Sequence, residues 1–273
     1  MSVTTPLTPA ELQPRQAGRL YWAIEDARVL AWRHLVQIPR IPELLVFATV
    51  QPVMLVILFR YVFGGSIDVG RVSYVNYLMA GIFVQTVAFG SVATGIGLAD
   101  DLTKGLIDRF RSLPMSRSAV LTGRTIADLV RNMFVVVVML LVGLLVGFRP
   151  DAGVLDWARA IGLLLLLSFA FSWVGASVGL LVRSVEAAQS GGFIWLFPLT
   201  FASSAFVQPE KMSGWLRPFA ENQPFSVIVD VVRGYFLDQP VGSKGWIALA
   251  WVIGLVVVFA PLSVRLYEKR TAS

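Results

Sequence analysis

The sequence predicts an all-α integral membrane protein with six transmembrane helices, an amphipathic helix along the interface before the first, a short cytoplasmic helix between spans two and three, and a long outer connection between spans five and six. Three observations lead there. Of 273 residues, 56% carry hydrophobic side chains and only 15% are charged, against roughly a quarter charged in soluble domains. The apolar residues gather into runs of about 20, the length a helix needs to cross a hydrocarbon core about 30 Å thick. The basic residues are distributed unevenly between the connections.

The runs fall at 44–63, 77–99, 126–148, 160–182, 187–207 and 246–264. Residues 2–18 are rich in Pro, Thr and Gln and have no apolar centre, so residues 1–18 read as a flexible tail and not as a signal peptide. Residues 19–43 contain Tyr21, Trp22, Ile24, Val29, Leu30, Trp32 and Leu35 among Glu25, Asp26, Arg28 and Arg33. That mixture suits a helix lying in the headgroup region, ended by Pro39 and Pro42 before the chain enters the bilayer domain, 44–264. A helix packing on a protein partner is the other reading.

An even number of spans puts both termini on one side. That side would carry Arg15, Arg19, Arg28, Arg33, Arg40, Lys104, Arg109, Arg111, Arg117, Arg124, Arg131, Arg183, Arg265, Lys269 and Arg270. The opposite side would carry Arg71, Arg149, Arg159, Lys211, Arg217, Arg233 and Lys244, four of them in one long connection. The excess places the termini, including the tail 265–273, in the cytoplasm. The aromatics lie inside the apolar runs and are not interleaved with the basic residues, so the net charge of +6 reads as membrane orientation and not as nucleic-acid binding.

The segment 100–125 is dense in charge between two apolar runs. As a helix over 100–113, it sets Leu102, Leu106, Phe110 and Leu113 on one face, with Lys104, Asp108 and Arg111 opposite. Pro114 stops it, and Ser116 can cap the helix that climbs into span three. Its apolar face needs something to bury against.

The chemistry available to the chain is narrow. There is no cysteine, and His34 is the only histidine, which leaves no thiolate or clustered-histidine metal site. No Asp, Glu, His or Lys lies mid-span, so a proton-coupled pump lacks its titratable group and a serine such as Ser168 or Ser172 lacks a base. No GxxxxGK[ST] occurs, so the chain holds no nucleotide by a P-loop. No catalytic residue and no cofactor are expected. Energy for transport would arrive from another polypeptide, and the charged cytoplasmic helix is the natural place for it to arrive.

The stretch GLIDRFRSLPMSRSAVLTGRTIADLVRN (105–132), with NQPFSVIVDVVRGYFL (222–237), resembles the type-2 ABC exporter permeases, most closely the membrane subunits of daunorubicin/doxorubicin-resistance-type exporters. The resemblance covers nearly the whole chain. It implies a permease that pairs with a second copy or a paralogue, is driven by two ATP-binding subunits carrying ATP and Mg, and moves hydrophobic drugs or metabolites out of the cell. The coupling helix docks on the ATPase in such proteins. Carried onto this chain, the segment is Asp101–Pro114, with Lys104, Asp108, Arg109 and Arg111 as polar contacts, Leu106 and Phe110 as anchors, and Gly105 permitting close approach. Many relatives carry a glutamate-rich version; here Asp100, Asp101 and Asp108 supply the acid.

Residues 208–245 fit the outer hairpin of the same architecture. Phe225, Ile228, Val229, Val232 and Phe236 make an apolar stripe, Asp230 and Arg233 stand away from it, and Pro224 can open the helix. Trp215 and Asn222 lie on the preceding arm. An ordinary extracellular loop with an interfacial helix is the alternative. Gly143/Gly147 and Gly175/Gly179 are close-approach pairs. Gln51 beside Pro52, and Gln85 in span two, either line a pathway or bond across helices. Met54 and Phe83, with Phe89 and Phe134, offer an adaptable apolar surface for a hydrophobic molecule, or pack against protein and lipid. Two other functions stay open: the same machine moving a lipid-linked glycan or lipid, for which stacked aromatics on spans one and five would speak, and a channel or membrane scaffold without energy input.

Overall fold

The computed structural model describes residues 19–37, 42–65, 67, 69, 72–104 and 117–272. Among them there is no strand, and the expected all-α class is what is found. The helices are α1 (Arg19–Gln37), α2 (Pro42–Leu58), α3 (Tyr74–Thr103), α4 (Arg117–Leu145), α5 (Val154–Leu181), α6 (Val185–Phe201), α7 (Arg217–Asn222), α8 (Pro224–Phe236) and α9 (Lys244–Ala272). A wide π turn, Phe59–Phe63, extends α2, and a 3-10 turn, Pro209–Lys211, precedes α7.

Four of these helices are long and apolar enough to cross a membrane: α3, Leu121–Leu145 of α4, α5, and Lys244–Arg270 of α9. One of the expected spans comes out shorter. The first is helical over the whole expected run, α2 continuing into the π turn Phe59–Phe63; within it Pro52 removes an N–H donor from the ladder and the last turn widens at Phe59. The fifth was expected to reach Val207 but stops at Phe201, giving 17 residues and, at 1.5 Å per residue, a length of about 25 Å. Beyond it the backbone is claimed by other partners: Ser203 Oγ accepts from the Ala205 N–H at 3.1 Å, and the Ser204 N–H donates to Ser226 Oγ on α8 at 3.0 Å.

The central element is α3, which packs against α2, α4, α5, α6 and α8. Ser73 caps it, accepting from the Asn76 N–H at 3.3 Å. Its closest neighbour is α5, and the glycines explain why: a Cβ on Gly95 would strike the Gly175 carbonyl, and one on Gly175 or Gly179 would strike the carbonyls of Ser91 or Gly95. The Gly175/Gly179 pair therefore marks a contact inside the bundle. Phe83, Phe148 and Phe236 knot α3, the turn after α4, and α8 together with ring centroids 5.5–6.1 Å apart.

The α1 helix lies along α4, burying Leu30 and Ala31 and leaving Val29 and Trp32 exposed. At the far end of the chain Arg270 donates to the carbonyls of Leu180, Leu181 and Val182 at 2.8–3.2 Å, so the basic end of α9 covers the last acceptors of α5.

Candidate functional site

A cavity of about 220 Å³ opens between α2, α3, α4 and α6. Its walls are mostly apolar, with Leu55, Phe89, Val135 and Phe193 among them. Both glutamines singled out from the sequence line it: Gln51 at an exposed position beside Pro52, and Gln85 deep within, 4% exposed. The Gln85 Oε1 and the Thr86 Oγ1 find no hydrogen-bond partner among the described residues. The other two pathway candidates stand elsewhere. Phe83 is 1% exposed inside the aromatic knot, and Met54 is 64% exposed on the outside of α2.

The residues the sequence reading missed are Thr86, Arg131 and Asn132. The first was hidden among apolar neighbours, Arg131 was counted only among the cytoplasmic basic residues, and Asn132 was given no role, whereas α4 carries both to the cavity wall. There Arg131 pairs with Asp128 at 3.1 Å and donates to the Gly90 carbonyl at 2.9 Å, while Thr94 donates to Asp128 at 2.6 Å. Asn132 donates to Ser168 of α5 at 2.8 Å. The charges in this apolar region are thus compensated and bonded, as burial requires.

This polar contact between α3 and α4 continues along the pair to Asp101, which accepts from Arg124 at 2.5 Å with both side chains mostly buried. The segment expected to dock, Asp101–Pro114, begins here. Asp101 lies in the last turns of α3, which runs on to Thr103, so residues 100–103 belong to α3 and do not start a separate helix. Lys104 caps that end and donates to Asp100 at 2.7 Å, a bond that holds its ammonium pKa above the usual lysine value. Gly105, Leu106, Asp108, Arg109, Phe110, Arg111 and Pro114 lie outside the described residues.

A second polar cluster sits at the other end of α3. Pro224 does open α8, whose Gln223 side chain accepts from the Phe225 N–H at 2.8 Å. The stripe Phe225–Phe236 is buried as expected, but Arg233 does not stand apart from protein: it is 8% exposed. Its guanidinium donates to the Tyr77 carbonyl at 3.2 Å, the Ser204 carbonyl at 2.7 Å and Asp230 at 3.1 Å, and lies 3.6 Å from the Tyr77 ring centre. Helical spacing located the apolar stripe; α3, which meets that stripe where Phe83 packs on Phe236, also covers Arg233 with Tyr77. Asp230 also accepts from Ser204 at 2.7 Å and Lys244 at 2.8 Å. Trp215 and Asn222 are exposed. A polar hollow of about 740 Å³, with Tyr77, Gln208, Glu210 and Lys244 on its walls, opens beside this cluster.

A row of aromatic rings joins the two regions. Phe89 meets Phe193 and Phe197 at 5.8 and 5.5 Å, Phe197 stacks on Phe201 at 5.9 Å, Phe201 on Phe206 at 5.5 Å, and Phe206 on Phe59 at 4.5 Å. Among the described residues there is no group of three or more acidic or histidine side chains placed to hold a metal ion.

Long apolar helices packed around a largely apolar cavity, with the buried charges of its wall compensated, describe a multi-pass membrane protein. Residues 25–237 match the ABC-2 type transporter family, and the chain belongs to it: it is a membrane permease of an ABC transporter. It is 33% identical over 245 residues to the daunorubicin resistance ABC transporter permease protein DrrB1 of Streptomyces coeruleorubidus, covering 88% of this chain and 85% of the relative. It is 29% identical over 220 residues to the probable doxorubicin resistance ABC transporter permease protein DrrC of Mycobacterium tuberculosis, covering 78% and 79%. A putative transport permease of Porphyra purpurea is 23% identical over 221 residues, covering 78% and 74%.

Proposed function

We propose that this chain is the permease subunit of an exporter for hydrophobic drugs or metabolites, pairing with a second copy or a paralogue and driven by two ATP-binding subunits that carry ATP and Mg. The observation that carries the reading is the largely apolar cavity between α2, α3, α4 and α6, joined by the polar α3–α4 contact to Asp101, where the docking segment begins. The names of the drug-resistance relatives support the choice of cargo. In this reading α2 and α6 complete six spans, both termini face the cytoplasm of a bacterial plasma membrane, Asp101–Pro114 docks in a groove of the ATPase, and residues 208–245 close the outer end as a re-entrant hairpin. Closure of the ATPase pair on ATP would push the docking segment, and the bonded α3–α4 pair would carry that displacement to the cavity wall.

Co-expression with an ATP-binding subunit, purification by a tag on this chain, and ATPase assay in lipid test the reading. A co-purifying, drug-stimulated ATPase is the expected result, and charge reversal at Asp108 together with Arg111 is expected to abolish co-purification while the permease still inserts. A permease that purifies alone, or a complex that survives the reversal, overturns the coupling; the former also raises the channel or scaffold alternative. The aromatic row from Phe59 through Phe206, Phe201 and Phe197 favours a second reading, in which the same machine moves a lipid-linked glycan or lipid over stacked rings. Stimulation by a polyprenyl-linked sugar in place of drug would select it.

A further inference from the structure

The last helix gives the bundle least of its surface. Only 17% of the apolar stretch of α9 is buried, against 33%, 67% and 72% in the other three long helices. Its outward side is one continuous stripe. Ile247, Trp251, Val258 and Leu262 are 37–58% exposed and follow one another at offsets of four, seven and four, which sets them on one face. The same face runs on into Arg265 and Lys269, both exposed, at offsets of three and four. The apolar part of such a face suits hydrocarbon; a pair of cations closing it does not.

Arg265 is aimed outward by its neighbours. Two residues before it, Ser263 donates to the Trp173 carbonyl at 3.0 Å and lies 2.8 Å from Ser177 Oγ. Two residues after it, Tyr267 is 3% exposed, packed in one cluster with Leu30 and Leu180. With both of these turned into the bundle, the side chain between them faces away, on a helix end that Arg270 fastens to α5. Among the described residues no side chain or carbonyl pairs with the Arg265 guanidinium. Glu268 is the one acid in this last stretch, against Arg265, Lys269 and Arg270, so the end of α9 is net positive.

The spacing along the helix matches one kind of molecule. Trp246, 77% exposed, opens α9 at the opposite end. At 1.5 Å per residue it lies about 28 Å from Arg265, against a hydrocarbon core about 30 Å thick. Arg265 therefore stands at headgroup depth, its aliphatic stem along the stripe. Gly254, on the same face between Trp251 and Val258, has nothing within 4 Å of a would-be Cβ and leaves a notch there. That notch is about 16 Å from Arg265, close to the depth of one leaflet. A free anion would use the cations and leave the notch empty; an uncharged lipid would do the reverse.

We propose that the outward face of α9 is a binding site for an anionic phospholipid, its phosphate held by Arg265 and Lys269 and one acyl chain lying over Gly254 beside Trp251. The inference rests on α9 crossing a bilayer and on nothing about the cargo. In the orientation proposed above, the lipid belongs to the cytoplasmic leaflet.

The test uses the full chain in phosphatidylcholine vesicles that contain a minor fraction of a lipid with brominated acyl chains, either phosphatidylglycerol or phosphatidylcholine. Bromine quenches a tryptophan it touches, and a Trp251→Phe variant isolates the share of Trp251 from that of the other tryptophans. Wild-type protein is expected to prefer the phosphatidylglycerol by about fivefold or more, the worth of at least one interfacial cation. Arg265→Gln with Lys269→Gln is expected to make the two lipids equal. Gly254→Leu is expected to weaken quenching by phosphatidylglycerol without lowering the melting temperature, since the added side chain enters open space. Arg183→Gln, which removes an exposed arginine from the connection between α5 and α6, is expected to keep the preference.

Equal quenching by the two lipids in wild-type protein, or a preference that survives the double variant, overturns the proposal. So does a preference that Arg183→Gln abolishes, which would make it a property of the whole basic surface. Loss of the preference on adding glycerol 3-phosphate would assign the cations to a free phosphate and overturn the lipid. A Trp251 that neither lipid quenches would mean that protein, such as a second copy of the chain, covers this face, and would overturn it too.

Discussion

Thr94 on α3 donates its hydroxyl to Asp128 on α4 across 2.6 Å, and Asp128 in turn holds Arg131, 15% exposed, whose guanidinium reaches back to the Gly90 carbonyl of α3. The two helices are therefore joined by a closed set of polar contacts in the middle of apolar surface, a feature their shared hydrophobic stripe alone would not require.

Asp128→Ala leaves Arg131 buried without its counter-charge and is expected to cost about 3–5 kcal/mol. The double variant Asp128→Ala with Arg131→Leu removes both charges and is expected to recover most of that loss. Thermal unfolding of the two proteins in nanodiscs checks the order; a double variant less stable than the single would show that the pair acts through something other than mutual compensation.

Gly175 lies so close to α3 that a side chain there would meet the Ser91 carbonyl. Gly175→Val is expected to force α3 and α5 apart and to leave little monodisperse protein after extraction. Gly162, on the same helix, has open space around its would-be Cβ, and Gly162→Ala is expected to be neutral or to stabilise by up to about 1 kcal/mol through helix propensity. Size-exclusion profiles and melting curves read both.

Around Arg233 the structure sets up a graded comparison. Removing the Tyr77 hydroxyl, which donates to the Ser204 carbonyl at 2.8 Å, takes away one neutral hydrogen bond, so Tyr77→Phe is expected to cost about 1 kcal/mol. Arg233→Ala strips donors from two carbonyls and from Asp230, and is expected to cost about 3 kcal/mol or more. Lys would keep the charge but not the planar fork, so Arg233→Lys should fall between the two. Equal melting temperatures for all three would show that this cluster does not hold α8 against α3.

At the opposite end of α3, two ion pairs differ in burial. Arg124 and Asp101 are 14% and 23% exposed, and Arg124→Ala is expected to destabilise by about 1 kcal/mol. Lys104 and Asp100 form an exposed pair one turn apart, and Lys104→Ala should leave the melting temperature unchanged while raising the charge sensitivity of whatever docks nearby, read as a shift in the salt dependence of ATPase co-purification.

Much of the architecture was legible in advance where one physical quantity dominates. Apolar run length located α3, α4, α5 and α9, and Pro224 marked the first turn of α8. The fifth run was misjudged because competing partners cut the helix: α6 ends at Phe201, where Ser203 and Ser204 spend their groups on turn and α8 contacts. For the site, Gln51 and Gln85 stand out as polar side chains inside apolar runs and both line the cavity, but Phe83, two residues from Gln85, turns into the aromatic knot. A hydrophobicity pattern distinguishes faces of a helix only when one of them meets solvent; α3 is covered on nearly all sides.

The amino-acid sequence by itself determined that this chain builds long apolar helices suited to a membrane, the family it belongs to, and that no GxxxxGK[ST] stretch occurs in it. Those are properties of composition, run length and motif, which add along the chain. The tertiary structure alone decided that Arg131 is neutralised beside the cavity, that Arg233 is buried under Tyr77, and that no described residue donates to the Gln85 Oε1. Partners of a buried polar group come from distant helices, and their distances are set by how closely glycines such as Gly95 and Gly175 let those helices approach.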